Sequence, residues 1–135
     1  MQPHDEPLFD HEKLEVYRQA LSFVGWLSPI LEGLLKASDV KDHLERASNT
    51  IVLNVAEGNG KYAPKDRCRS FDTAHGSSLE CAAALDILVA KQKMTAEAVR
   101  PGKEQLQHIV RMLYGLIKRN SSREYDRNDL DPHPS

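Results

Sequence analysis

Thr50-Ile-Val-Leu-Asn-Val-Ala-Glu-Gly-Asn-Gly-Lys-Tyr-Ala-Pro-Lys-Asp-Arg-Cys-Arg69 passes from almost wholly apolar through glycine-rich to strongly basic within twenty residues. Its apolar part continues a pattern set earlier: Val40, Leu44, Ala47, Ile51 and Val55 recur at three- and four-residue steps, the inner stripe of an amphipathic helix. Ser38-Asp39 offers that helix an N-cap, and Gly58 or Gly60 ends it, with positive φ expected at the glycines. Pro64 suits the first turn of a following helix that runs to about Lys91, since its missing N–H is one a helix start leaves unpaired anyway. The quoted stretch is therefore the turn between two antiparallel helices.

Working outward, residues 10–36 read as a helix before it and Thr95 caps another that reaches Asn120, with Pro101-Gly102 expected to bend or restart it. The third helix carries a seam of Cys68, Phe71, His75, Ser78, Ala82, Leu85 and Val89; the fourth carries Leu106, Ile109, Val110, Leu113, Leu116 and Ile117. Four long helices with short links predict an all-α, antiparallel up-down four-helix bundle over residues 9–120. Residues 1–8 and 121–135, polar and proline-containing, are expected to be a flexible N-terminal segment and a flexible C-terminal tail.

The chain has 135 residues, 40% hydrophobic and 6% aromatic, enough for one helical domain with one core. No apolar run of membrane-spanning length occurs, and the first residues lack the basic start and apolar stretch of a signal peptide, so a cytoplasmic protein without membrane contact is expected. Cys68 and Cys81 stand thirteen residues apart on one predicted helix, about 20 Å, too far for a disulfide. The net charge of −2 hides a partition: residues 13–120 hold 16 bases and 12 acids, while the flanking segments are acidic.

The first and second helices hold more apolar surface than one bundle needs. Leu14, Tyr17, Leu21, Val24, Leu31 and Leu35 form one stripe of the first, and Val16, Phe23, Leu27, Ile30 and Leu34 form another, with Ala20 between them. On the second, Val52, Leu53 and Ala56 point away from the inner stripe. An apolar face without a partner marks an interface. Self-association is expected through Val16, Phe23, Trp26, Leu27, Ile30, Val52 and Leu53, with Trp26 as the anchor.

Lys61, Lys65, Arg67 and Arg69 form a basic cluster at the turn, interrupted by Asp66, and Arg46 adds a cation on the second helix. Such a set can meet phosphates of a nucleic acid or an acidic partner protein. Tyr62 could stack on a base, although local packing is the plainer expectation. Asn54, Glu57, Gly58 and Gly60 are read as a structural helix end, with Glu57 and Asn54 tying the loop to the third helix or a neighbouring subunit and Glu57 meeting Arg46, Arg67 or Arg69. The acid–histidine pairs Asp39/His43, Asp72/His75 and Glu104/His108 fall short of a di-iron set, because no Glu-x-x-His occurs. Ser77, Ser78 and His75 lie too close on one helix for a triad. No catalytic residue, metal or cofactor is expected, and the rival reading is an enzyme or metal- or cofactor-binding bundle with a site inside the helices.

Leu14-x-Val16-Tyr17-x-x-Ala20-Leu21, Leu44-x-Arg46-Ala47-x-x-x-Ile51-x-x-Asn54-x-Ala56-Glu57-Gly58-x-Gly60-Lys61 and Ala74-x-Gly76-Ser77-x-x-Glu80 resemble the four-helix-bundle family of 23S rRNA-intervening sequence proteins. That family is similar to the accessory variability determinants of diversity-generating retroelements. The resemblance implies a barrel-shaped homopentamer without catalysis, and contact with nucleic acid or a reverse transcriptase through basic surface. Glu45 and His75 depart from it, standing where relatives commonly carry basic residues.

Overall fold

The computed structural model describes residues 6–34 and 38–127, with side chains through residue 121. Among these residues there are four α-helices and no strand: α1 Glu15–Glu32, α2 Asp39–Gly60, α3 Pro64–Ala90 and α4 Ala96–Arg127. Each helix packs on its two neighbours in chain order, α4 closing against α1, and no contact joins the diagonal pairs. This is an up-down four-helix bundle.

The predicted boundaries of α2 and α3 match the observed ones, and the cause is visible at their ends. Ser38 Oγ accepts from the Lys41 amide at 3.3 Å, and Pro64 opens α3. Thr95 Oγ1 accepts from the Ala98 amide at 3.1 Å, starting α4 as expected. At its other end α4 continues to Arg127, seven residues past the predicted stop at Asn120. The helix also runs through Pro101 without a restart. Pro101 removes one bond to the Glu97 carbonyl, but both residues lie on the exposed side, where water can satisfy that oxygen. The first helix is shorter than predicted: Asp10–Lys13 is a 3-10 turn, and extended backbone at Leu14 separates it from α1. The predicted end of that helix at residues 35–36 lies outside the described residues, as do residues 1–5 and 128–135 of the two expected flexible segments.

The core fixes which stripe of α1 faces inward. Val16, Ala20, Phe23 and Leu27 join Leu44, Ile51, Phe71, Leu85, Leu106 and Leu113 in one buried core. This corrects the expected interface: Val16, Phe23 and Leu27 are 3%, 0% and 1% exposed within a single chain, so they cannot reach another copy. Each such side chain contributes roughly 1.5–3 kcal/mol through removal from water. The companion stripe is used as well, for Leu14, Tyr17 and Leu31 pack on the margin of the same core, leaving only Leu21 exposed among the described members. One bundle therefore consumes nearly all of the apolar surface of α1.

Trp26 is likewise an internal residue, packed on the core margin and stacked with Phe23 at 5.8 Å between ring centroids. Its ring packs against Gly102, where any Cβ would overlap it. Gly102 is thus the seat of Trp26 rather than a helix breaker. On α3 the buried seam is Phe71, Ala74, Ser78, Cys81, Leu85 and Leu88, rotated slightly from the predicted one, so His75, Ala82 and Val89 are half-buried.

Candidate functional site: the α2–α3 turn

The end of the bundle that carries the basic cluster is held by Arg67. Its Nη1 donates to the Asn59 carbonyl at 2.8 Å and the Lys61 carbonyl at 3.0 Å, while Nε donates to Asn120 Oδ1 at 3.0 Å. One guanidinium therefore joins the C-terminus of α2, the first turns of α3 and Asn120 of α4. Carbonyls at a helix C-terminus lack intrahelical donors and carry partial negative charge, which is why a cation docks there. Asn120, only 2% exposed, is fully engaged, donating in turn to the Leu116 carbonyl at 2.7 Å. Arg67 is consequently a structural pin and does not belong to the accessible cations expected from the sequence.

The glycines of this turn act through space rather than through backbone conformation. Neither Gly58 nor Gly60 has positive φ, contrary to expectation. Gly58 remains helical and buried because Phe71 presses on it: a Cβ there would stand 2.7 Å from the ring. Arg67 lies over that same ring, 5.6 Å from its centroid. Gly58, Phe71 and Arg67 form one stack from α2 into α3.

Two further ties differ from the predicted ones. Glu57 pairs with Lys61, one turn on, at 3.5 Å, and with none of the three arginines proposed for it. Asn54 donates to the Thr50 carbonyl within α2 at 3.0 Å instead of reaching α3. The Asn59 side chain donates to Asp10 at 2.9 Å and so brings the segment before α1 to this end.

What remains accessible is a compact set. Tyr62 is 100% exposed, which overturns the expectation that it packs locally. Lys65 and Arg69 are exposed and, among the described residues, have no ion-pair partner within 4.0 Å. Lys61 is exposed beside them, shared with Glu57. Arg46 does not join this set, since fifteen residues of α2 separate it from Lys61, about 22 Å at the rise of an α-helix. An aromatic face with two open cations on a rigidly pinned turn can stack on a base and meet adjacent phosphates.

A second accessible feature lies on the outer side of α2 and α3. Leu79, Ala83 and Ile87 follow at four-residue steps and are all exposed, Leu79 by 52%. Val40, His43, Glu80, Ala83, Ala84 and Ile87 line a groove of about 210 Å³ there, and His43 Nδ1 lies 3.6 Å from Glu80. Leu53, 66% exposed, adds to the apolar surface of α2, whereas Val52 packs on the core and Ile30 is half-buried. The sequence contained the Leu79/Ala83/Ile87 spacing, but the neighbouring run of small residues reads as helix packing alone.

No group of three potential metal ligands occurs among the described residues. Inside the bundle, Ser48 and Ser78 bond back to the carbonyls of Glu45 and Ala74, as helical serines commonly do. Among the described residues no helix is long and apolar enough to cross a membrane.

Against known families, residues 12–115 match that of the 23S rRNA-intervening sequence proteins. A solved structure from Bacteroides thetaiotaomicron, a protein of unknown function from the S23 ribosomal protein family, superposes with a TM-score of 0.72 at 19% identity, covering 76% of this chain and 98% of that one. At that identity the likeness is one of fold. Comparison with curated proteins returns no match.

Proposed function

The chain belongs to the family of 23S rRNA-intervening sequence proteins, and from that premise we propose that it is a non-enzymatic cytoplasmic scaffold that self-associates and presents copies of the α2–α3 turn to an anionic partner. The observation that carries this reading is the pinned turn itself: Arg67 is spent on holding it, while Tyr62, Lys65 and Arg69 face solvent. A ring of such turns multiplies a modest charge into a field that draws in a polyanion. The resemblance supplies the expected ring of five, and supplies nucleic acid or a retroelement reverse transcriptase as the partner; Tyr62 beside two cations favours nucleic acid.

Self-association is supported by the outer stripe of Leu79, Ala83 and Ile87 with Leu53, apolar surface that the bundle's own core leaves uncovered. The experiment has two arms. Light scattering is expected to show a multiple of the chain mass that Leu79→Asp with Ile87→Asp lowers while far-ultraviolet helicity persists. Fluorescence anisotropy with a labelled single-stranded RNA is expected to show binding that weakens steeply with salt and is reduced by Lys65→Ala, Arg69→Ala or Tyr62→Ala. A monomer at high concentration, or no RNA binding at low salt, overturns the corresponding half of the proposal.

A further inference from the structure

From Gln105 to Ser121, α4 carries Arg111, Lys118 and Arg119, with His108, and no Asp or Glu. Arg111 and Lys118 are exposed, and among the described residues neither has an ion-pair partner within 4.0 Å. Tyr114 falls between them and is 61% exposed, while Met112, Leu116 and Ile117 do the packing on the core margin. Steps of three and four residues set Arg111, Tyr114 and Lys118 on one face of the helix. Arg119 turns to the other edge of α4, where it lines a groove with Glu15. Two contacts tie this face to the basic turn. Arg67 bonds Asn120, and the Cys68 sulfur lies 3.5 Å from the Ile117 carbonyl and from Ser121 Oγ, so α3 and α4 run side by side and antiparallel. Counted from Arg67 and Asn120, Lys118 is level with Arg69, on helices whose axes stand about 8–10 Å apart. Tyr114 follows one turn farther along. The acids bordering this surface are Asp66 and Asp72, both on α3.

We propose that Arg111, Tyr114 and Lys118 form a second nucleic-acid contact continuous with the α2–α3 turn, so that a single strand crosses from Tyr62 over Arg69 and Lys118 to stack a further base on Tyr114. This rests on the reading of the turn as a polyanion site and extends it onto α4. The arrangement selects the partner. Arg111 and Lys118 stand about 10.5 Å apart along the axis with the ring between them, so a base on Tyr114 has a cation on either side for the phosphates before and after it. Duplex bases are already stacked on one another, whereas an unpaired base offers its face to an aromatic ring. An acidic protein segment could use the same cations but would leave the exposed ring without a partner. The strip also lies on a helix rather than a loop, so its spacing is fixed before the strand arrives, which limits the ordering cost of binding.

Fluorescence anisotropy on the full chain with a labelled single-stranded RNA separates the two contacts. Arg111→Ala with Lys118→Ala is expected to lower the slope of log affinity against log salt by about 1.4, the share of two single-strand phosphates. Lys91→Ala with Lys93→Ala removes the same charge at the far end of α3 and is expected to leave the slope unchanged. Tyr114→Ala is expected to weaken RNA binding about fivefold or more, and Tyr114→Phe to preserve it. Inorganic polyphosphate, which has charge but no bases, should bind less well to the Arg111→Ala/Lys118→Ala chain and equally well to Tyr114→Ala, read by calorimetry. All three side chains are exposed, so the variants should keep the parental urea midpoint. RNA binding that Lys65→Ala with Arg69→Ala weakens and the α4 variants leave intact overturns the second contact and keeps the reading of the turn. Loss in the α4 variants alone keeps the second contact and removes that reading, and no RNA binding by the parent at low salt removes both. An equal loss from the Lys91/Lys93 pair reduces the effect to net charge and overturns the proposal, as does a Tyr114→Ala loss that is the same for RNA and polyphosphate.

Discussion

Arg67 and Lys65 stand two residues apart in one basic run and do opposite things. The guanidinium of Arg67 satisfies two helix-end carbonyls and a buried amide oxygen at once. Removing it strands Asn120 and exposes the α2 terminus to an uncompensated dipole. Arg67→Met should therefore lower stability by about 2–3 kcal/mol, as expected for charge-assisted bonds to buried partners, read as a lower urea midpoint. Lys65→Ala and Arg69→Ala, whose side chains are exposed, should stay within about 0.5 kcal/mol of the parent. If all three behaved alike, the pin would not be a pin. Nothing in the order Lys-Asp-Arg-Cys-Arg distinguishes these roles; they follow from which face of α3 meets α4. That is why the cluster was legible as charge but not as a division of labour, and why Tyr62, with no apolar neighbour of its own phase, was not legible as fully exposed.

Individual helices reveal how far local signals carry. Ser38, Pro64 and Thr95 announce three helix starts correctly because a start is a local event, set at Ser38 and Thr95 by a side-chain oxygen on a free amide and at Pro64 by the absence of an amide that would need one. Glycine and proline were less faithful guides, since their effect depends on what lies opposite. Gly102, read as a breaker, is a socket for Trp26 of α1. Gly102→Ala should cost about 1–3 kcal/mol by overpacking, and Trp26→Leu should recover part of that loss in the double variant; additive losses in thermal melts would refute the socket. The one left-handed residue among those described is Gln92, φ 61°, in the turn between α3 and α4. There the Gln92 amide donates to the Val89 carbonyl and the Lys93 amide to the Leu88 carbonyl, both at 2.9 Å, which is a Schellman termination with a non-glycine at its left-handed position. Gln92→Gly should stabilise the protein by about 1 kcal/mol through relief of the left-handed strain, seen as a higher melting temperature. An unchanged or lower value would place the strain elsewhere.

At the scale of the molecule, the fold was legible because four amphipathic helices with short links leave few alternatives, whereas the partition of apolar surface was not. Both stripes of α1 read equally apolar, and only the packed bundle shows Val16, Phe23 and Leu27 filling the interior while Leu79 and Ile87 of α3 remain outside. The same closed interior governs the response to alkali. Cys81 is buried, and the loss of solvation, aided by the adjacent Glu80, pushes its thiol up from 9.0 to about 12. In the unfolded chain the thiol ionises near its ordinary value, so above that pH the unfolded state sheds a proton that the folded state keeps. Linkage then gives the sign: the contribution of Cys81 is fully present below pH 9.0 and is lost as pH rises towards 12. The slope it adds approaches about 1.4 kcal/mol per pH unit within that window. Cys81→Ala removes this term while leaving every lysine and tyrosine titration in place. Urea unfolding of both chains between pH 8 and about 10.5 should therefore show the parent losing stability more steeply than Cys81→Ala, whatever constant cost the lost sulfur imposes. Parallel pH profiles would mean that the folded interior admits the thiolate.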